Sequence, residues 1–227
     1  MKRREMGRTL LVGGLALGLL LAATPVVGQE TDERVGEVIF AEGRVDGQRV
    51  GGSAGPLAVT DSVFYEMTVS TARDSRAQLT FEPRGSLTFE ENGEFVLDRK
   101  QLEQAGAYAG VVRIKFGFLV AAVSSLFGID TDTAEVGVQG TVFAVRVVDD
   151  GTTTVWAFEA LGDDLSVTSK STGDSIYLES GYVTVVAPGA APTPPIPFDP
   201  KSGAAGGLVL PLPGGLPDVF DEPPLPP

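Results

Sequence analysis

The chain has no cysteine and no histidine. Without cysteine there is no disulfide, no lipidated Cys at a mature N-terminus and no thiolate chemistry. Without histidine, Ser-His-Asp triads and His-ligated zinc or iron are excluded together. Basic residues are scarce, 17 against 30 acidic ones, for a net charge of −13. That balance excludes a phosphate-binding face of clustered Lys and Arg, and so nucleic acid as a partner. It also disfavours electrostatic docking on anionic lipid. Long hydrophobic runs are missing too. Leu10–Ala23 is uncharged but has only 14 residues, ~21 Å as a helix against a hydrocarbon core of ~30 Å.

What is present begins with a targeting segment. Lys2, Arg3, Arg4 and Arg8 precede that apolar run, and Val26 and Gly28 stand at −3 and −1 of a cut before Gln29. Residues 1–28 therefore read as a cleaved signal peptide, and the mature chain, net about −16 once the signal's net +3 is removed, carries no stable membrane span. The expected location is the periplasm, or the exterior, of a Gram-negative-type bacterium. Residues 29–34 form a polar lead-in, and 35–187 alternate short apolar runs with Gly, Asp and Asn turns. Residues 188–227 hold 13 of the 16 prolines, a composition that predicts a disordered Pro/Gly-rich tail.

Turn signals every eight to twelve residues predict an all-β body, either a solenoid-like or a sandwich-like stack of strands and hairpins. Leu79-Thr80-Phe81-Glu82 recurs as Leu87-Thr88-Phe89-Glu90, and Phe95-Val96-Leu97-Asp98 follows. In each unit the apolar side chains share one face and the polar ones the other. Phe116–Ile129 is uncharged throughout, and its apolar residues fall at helical spacing, so it is a candidate buried helix. A buried strand and turn is the alternative. Around Asp149-Asp150-Gly151, a three-residue hairpin loop confines positive φ to the glycine. It places Val148 opposite Thr152, Val145 opposite Val155, Phe143 opposite Ala157, Ala144 opposite Trp156 and Val142 opposite Phe158. Both faces of that hairpin are then apolar, and Phe116–Ile129 is the expected cover for one.

Several of these stretches together resemble the FecR domain family. Gly137-Val138-Gln139-Gly140-Thr141-Val142-Phe143 is similar to that family's Gly-Val-Arg-Gly-Thr-x-Phe run, with Gln139 in place of arginine. Thr71-Ala72-Arg73-Asp74-Ser75-Arg76-Ala77 is similar to its Thr-Gly-x-Asp-Ser-Arg-Ala turn, and Glu179-Ser180-Gly181 to its last turn. The opening pair Val35–Val38 and Glu42–Val45, and the step from Pro56 to Asp61, follow the family's order. The resemblance implies an exported all-β module without the cytoplasmic part of the sigma-factor regulators, since only Met1–Thr9 precede the apolar run. A sigma factor is then not a direct partner.

The family-motif residues Gly137, Gly140, Thr141, Phe143, Asp150, Gly151 and Gly181 read as structural. Candidate partner-binding residues are Arg73, Arg76, Gln139 and Trp156. No carboxylate pair is singled out by spacing as an acid/base couple, and Asp130 and Asp132 lack the ligand run of a calcium loop. The expectation is a protein without catalytic activity, cofactor or metal. Its expected role is protein interaction, signalling or scaffolding in the envelope, with another envelope protein as partner. The alternative is glycan binding through an exposed strand face bearing Trp156 or Tyr182.

Overall fold

The computed structural model describes residues 33–81, 85–101, 108–199, 204–205 and 208–209. The signal segment, most of the polar lead-in and most of the stretch beyond 199 lie outside the described residues. The first strands are β1 (Arg34–Glu42), β2 (Val45–Gln48), β3 (Gly55–Pro56), β4 (Ser62–Phe64), β5 (Thr68–Thr71) and β6 (Arg76–Phe81). Then come β7 (Gly85–Phe89), β8 (Gly93–Gln101), β9 (Tyr108–Val123), β10 (Phe127–Asp130), β11 (Ala134–Val138) and β12 (Thr141–Val147). The last are β13 (Thr153–Glu159), β14 (Leu165–Ser169), β15 (Ser175–Tyr177), β16 (Tyr182–Val186), β17 (Ile196–Asp199), β18 (Ala204–Ala205) and β19 (Leu208–Val209). No helix occurs among the described residues.

Strands β1 to β17 form two sheets joined through β9, and β18 and β19 add a short ladder onto β17. Sheet A runs β4-β1-β6-β7-β9-β12-β13-β16-β17. Sheet B runs β3-β2-β5-β8-β9-β10-β11-β14-β15. They pack face to face: Phe81 of sheet A meets Phe127 of sheet B edge-on at 5.2 Å, and Phe89 stacks on Phe95 at 4.3 Å. The eight-residue repeat explains this core. Leu79 pairs directly with Leu87 in the β6–β7 hairpin, while Phe95 and Leu97 cross to the other sheet, and all of them are fully buried. Each such side chain contributes ~1.5–3 kcal/mol.

The ribbons are creased rather than coiled. β1–β2, β5–β6, β7–β8 and β9 each pass from one sheet to the other through a corner, at Gly43, Asp74, Asn92 and Gly117, all at positive φ. The corners nest. Arg44 N–H donates to Ser75 Oγ at 2.9 Å, and Asn92 N–H to Ala72 O at 3.1 Å. A Cβ on Gly117 would lie 2.6 Å from Gly93 Cα, so only glycine fits there. After Val123 the chain returns to sheet B, and β10 lies parallel to the first half of β9. The later ribbons crease on the opposite edge, near Gly140 and Gly181. The architecture is therefore a sandwich with a single solenoid-like turn at its centre.

Two expectations are corrected here. Phe116–Ile129 is not a helix; it is the end of β9, a turn, and β10. Its side chains alternate, Leu119, Ala121 and Val123 inward against Phe118 and Val120 outward, and both faces are covered. A strand buried on both faces reads as one apolar run, which periodicity cannot separate from a buried helix. The ordered body also runs past residue 187. Ile196–Asp199 pairs with β16, Thr193 N–H donates to Val185 O at 2.9 Å, and Phe198 is buried. Proline restricts residues 188–199 to short pairings but does not stop them from docking a side chain.

Candidate functional site

The hairpin of β12 and β13 closes by the three-residue loop. Val148 N–H donates to Thr152 O and Gly151 N–H to Val148 O at 2.8 Å, and Gly151 alone of the three loop residues has positive φ, at 82°. Val145 faces Val155, Phe143 faces Ala157 and Ala144 faces Trp156. The register slips one place beyond, so Val142 faces Glu159 and not Phe158. A bulge there lets β12 leave the corner at Gly140, whose φ is 63°. Phe116–Ile129 contributes to both covers of this hairpin: Phe127 and Ile129 belong to sheet B and pack with the inner-face cluster, while Phe118 lies edge-on to Trp156 at 5.9 Å on the outer face. Sheet B seals the hairpin's inner face, and Phe198 closes over Phe158 on the outer face at 5.5 Å.

The family-motif residues have backbone and packing roles. Thr141 Oγ1 donates to Gln139 O at 3.0 Å, and Phe143 is fully buried. Asp150 Oδ1 accepts the Thr152 N–H at 2.8 Å, and that bond holds its carboxyl below the ordinary value of 3.8. Gly181 ties two strands: its N–H donates to Ala157 O and its carbonyl accepts from Phe198 N–H, both at 2.8 Å.

The candidate partner-binding residues are not brought together. Gln139 is exposed at one edge of the sandwich. Arg73 lies at the opposite corner, 3.5 Å from Asp74. Arg76 Nε donates to Glu90 Oε2 at 2.9 Å. Burial pushes the Glu90 carboxyl above its ordinary 4.5, with Arg76 pulling the other way. Trp156 is 1% exposed, so it cannot stack on a sugar, and Tyr182 is half-buried against the core. The alternation Val155-Trp156-Ala157 gave Trp156 a face but not the segment that covers it.

Several grooves are open on the surface. One, of about 480 Å³, lies on the outer face of sheet B. Its floor is Gly128 paired with Gly137, next to Ser166, and Leu126 stands at its side. Its charged rim is a chain of ion pairs: Arg113 bonds Asp98 at 2.8 Å and Asp130 at 3.3 Å, and Lys170 takes the other oxygen of Asp130. A second groove, of about 510 Å³, lies where the Glu90–Asn92 corner meets Phe116–Phe118 and Arg146–Asp149. Sequence reasoning missed Arg146. The available signal was a lone charge between Val145 and Val147, on the face that also carries Ala144. Among the described residues no group of acidic side chains is arranged to hold a metal ion.

Residues 67–160 match the model of the FecR protein family. No curated protein matches the chain. Two crystal structures, at 1.65 and 2.50 Å resolution, of a protein provisionally described as an anti-sigma factor from Parabacteroides distasonis ATCC 8503 are similar to it. Each shows 14% identity and a TM-score of 0.47 over 60% of this chain, and the match spans 61% of the solved chain. The matched stretch runs from Met67 to Ala160, from β5 through β13, and holds the corners at Asp74, Asn92 and Gly117 and the hairpin. Residues 67–160 of this all-β protein are thus similar to the FecR family over about two-fifths of the chain.

Proposed function

We propose that this protein is an exported, non-catalytic FecR-like module of the bacterial envelope that binds another envelope protein in signalling or scaffolding. The observation that carries the reading is the outer face of sheet B. There Gly128 and Gly137 sit side by side and leave a floor without side chains, rimmed by Leu126 and the Asp98–Arg113–Asp130–Lys170 chain. An extended segment of a partner can lie against that floor, and the rim, where Arg113 and Lys170 are paired with Asp98 and Asp130 beside Glu135, fixes its position. The FecR match supports the regulatory side of the reading. Export rests on the basic start and short apolar run. Among the described residues no helix is long and apolar enough to cross a membrane.

The lack of cysteine makes the test clean. Ser166→Cys and Gln78→Cys, the second on sheet A, are loaded with a photo-crosslinker in envelope preparations. A discrete adduct from position 166 alone is expected, and Gly137→Gln, which fills the floor, should remove it. Equal labelling from both positions, or from neither, would sink the reading. N-terminal sequencing of envelope-fraction protein checks the cut before Gln29.

A further inference from the structure

We infer that the groove between the Glu90–Asn92 corner, Phe116–Phe118 and Arg146–Asp149 is a second, independent site. It takes an extended peptide segment of a partner protein that bears one carboxylate beside an apolar side chain. The starting observation is an imbalance of pairing. With 30 acidic residues against 17 basic ones, carboxylates are in excess, and cations on such a surface are readily claimed. Arg34, Arg44, Arg73, Arg76, Arg113, Lys115 and Lys170 each sit against a carboxylate, and Arg49 lies 3.7 Å over the Phe64 ring. Among the cations whose side chains are described, Arg146 has neither kind of partner.

Its position holds it in that state. Arg146 sits in the middle of β12, flanked by Phe118 on β9 and Thr154 on β13, and is half-buried. Two of the three carboxylates lining the groove are engaged elsewhere: Glu90 is bonded to Arg76 at 2.9 Å, and Glu91 accepts the Asp74 N–H at 2.7 Å; Asp149, the third, makes no ion pair with Arg146. The guanidinium keeps its donor fork for a ligand, in the geometry that suits a carboxylate. Phe116, 39% exposed, supplies the apolar wall. Glu91 and Asp149 on the rim repel a second negative charge, which selects a single carboxylate over a polyanion. Both edges of β12 are already paired, so recognition runs through side chains and not through strand addition.

The probes are two blocked hexapeptides that differ in one residue, Glu or Gln, beside a phenylalanine. They are titrated into the full mature chain while the Arg146 Nε–H resonance is followed by NMR. The Glu peptide should shift that resonance and the amides of Asn92 and Phe116, with a Kd of about 1 mM or tighter. The Gln peptide and the Arg146→Met variant should each weaken binding about tenfold, while Arg146→Lys keeps part of it. Arg146→Met should leave crosslinking at position 166 intact, which separates this site from the groove on sheet B. Equal binding of both peptides, shifts elsewhere, or no shift would overturn the inference. A concentration-dependent dimer that Arg146→Met dissolves would assign the groove to a second copy and overturn it equally.

Discussion

On the inner face of the β12–β13 hairpin, Phe143, Val145, Val155 and Ala157 are sealed by a second hydrogen-bonded sheet. On the outer face, Ala144, Trp156 and Phe158 are sealed by Phe118, Val120, Val183 and Phe198, the last from a proline-rich segment. Side chains of one kind reach similar depth by different means. The inner cover is held by ladders over its whole length. The proline-rich part of the outer cover is held by two ladder positions, Tyr182 with Pro197 and Val183 with Ile196, by the backbone bonds Phe198 N–H to Gly181 O and Thr193 N–H to Val185 O, and by hydroxyl bonds such as Thr184 Oγ1 to Thr193 O at 2.8 Å. The outer face also keeps one cost, since Trp156 Nε1 is buried with no hydrogen-bond partner. The difference teaches that a few anchored residues can close an apolar face, at lower local stability than a sheet provides.

Phe143→Ala should have the largest effect, about 3–5 kcal/mol of unfolding free energy by urea titration, because the inner face cannot collapse around the void. Phe198→Ala should cost less, about 2 kcal/mol, because its segment can relax toward the cavity. Trp156, the only tryptophan, reports the outer face alone. Its emission should shift to the red in Phe198→Ala and in a chain ending at Ala187, but not in a natively folded Phe143→Leu variant. If Phe198→Ala cost as much as Phe143→Ala, the two covers would be equivalent and the comparison would fail.

Gly151→Val should lower stability by about 1–2 kcal/mol, since the added Cβ has room, 3.7 Å from Thr133, but the φ of 82° strains it. Asp149→Ala should be nearly neutral by the same measurement. The smallest effects are those of pH. Glu90 has a folded pKa above 4.5, so the native state holds the proton longer than the unfolded chain. That stability is complete below 4.5 and is lost as pH rises through the folded value. Glu90→Gln should flatten the unfolding midpoint across that window. Asp150 has the opposite sign, its contribution being present above 3.8 and lost on acidification. Asp150→Asn should remove a small acid-side slope.

Legibility followed the range of the interaction. The turn at Asp149–Gly151 is local: one glycine at positive φ fixes the loop length, and the loop fixes the pairing as far as Phe143. The bulge at Val142 broke that counting because it answers to the corner at Gly140, on the next ribbon edge. Trp156 was assigned an apolar face correctly in register, yet its candidate role at a surface fails because Phe198, 42 positions on, belongs to its environment. Arg146 was readable as a lone charge in an apolar strand. That Glu90 and Glu91 would be occupied by Arg76 and by the Asp74 backbone was not.

The sequence by itself determined the all-β class, the hairpin loop, the alternation that fills the core, and the FecR resemblance. These depend on residue type and on neighbours a few positions away. Tertiary structure decided that Phe116–Ile129 would be strand, because a run apolar on every side satisfies either geometry until both faces have partners. It also decided that the proline-rich residues up to 199 would close the outer face of sheet A. Burial and charge pairing are set by which distant segments meet, and the energy gained by that meeting outweighs the local preferences of either segment.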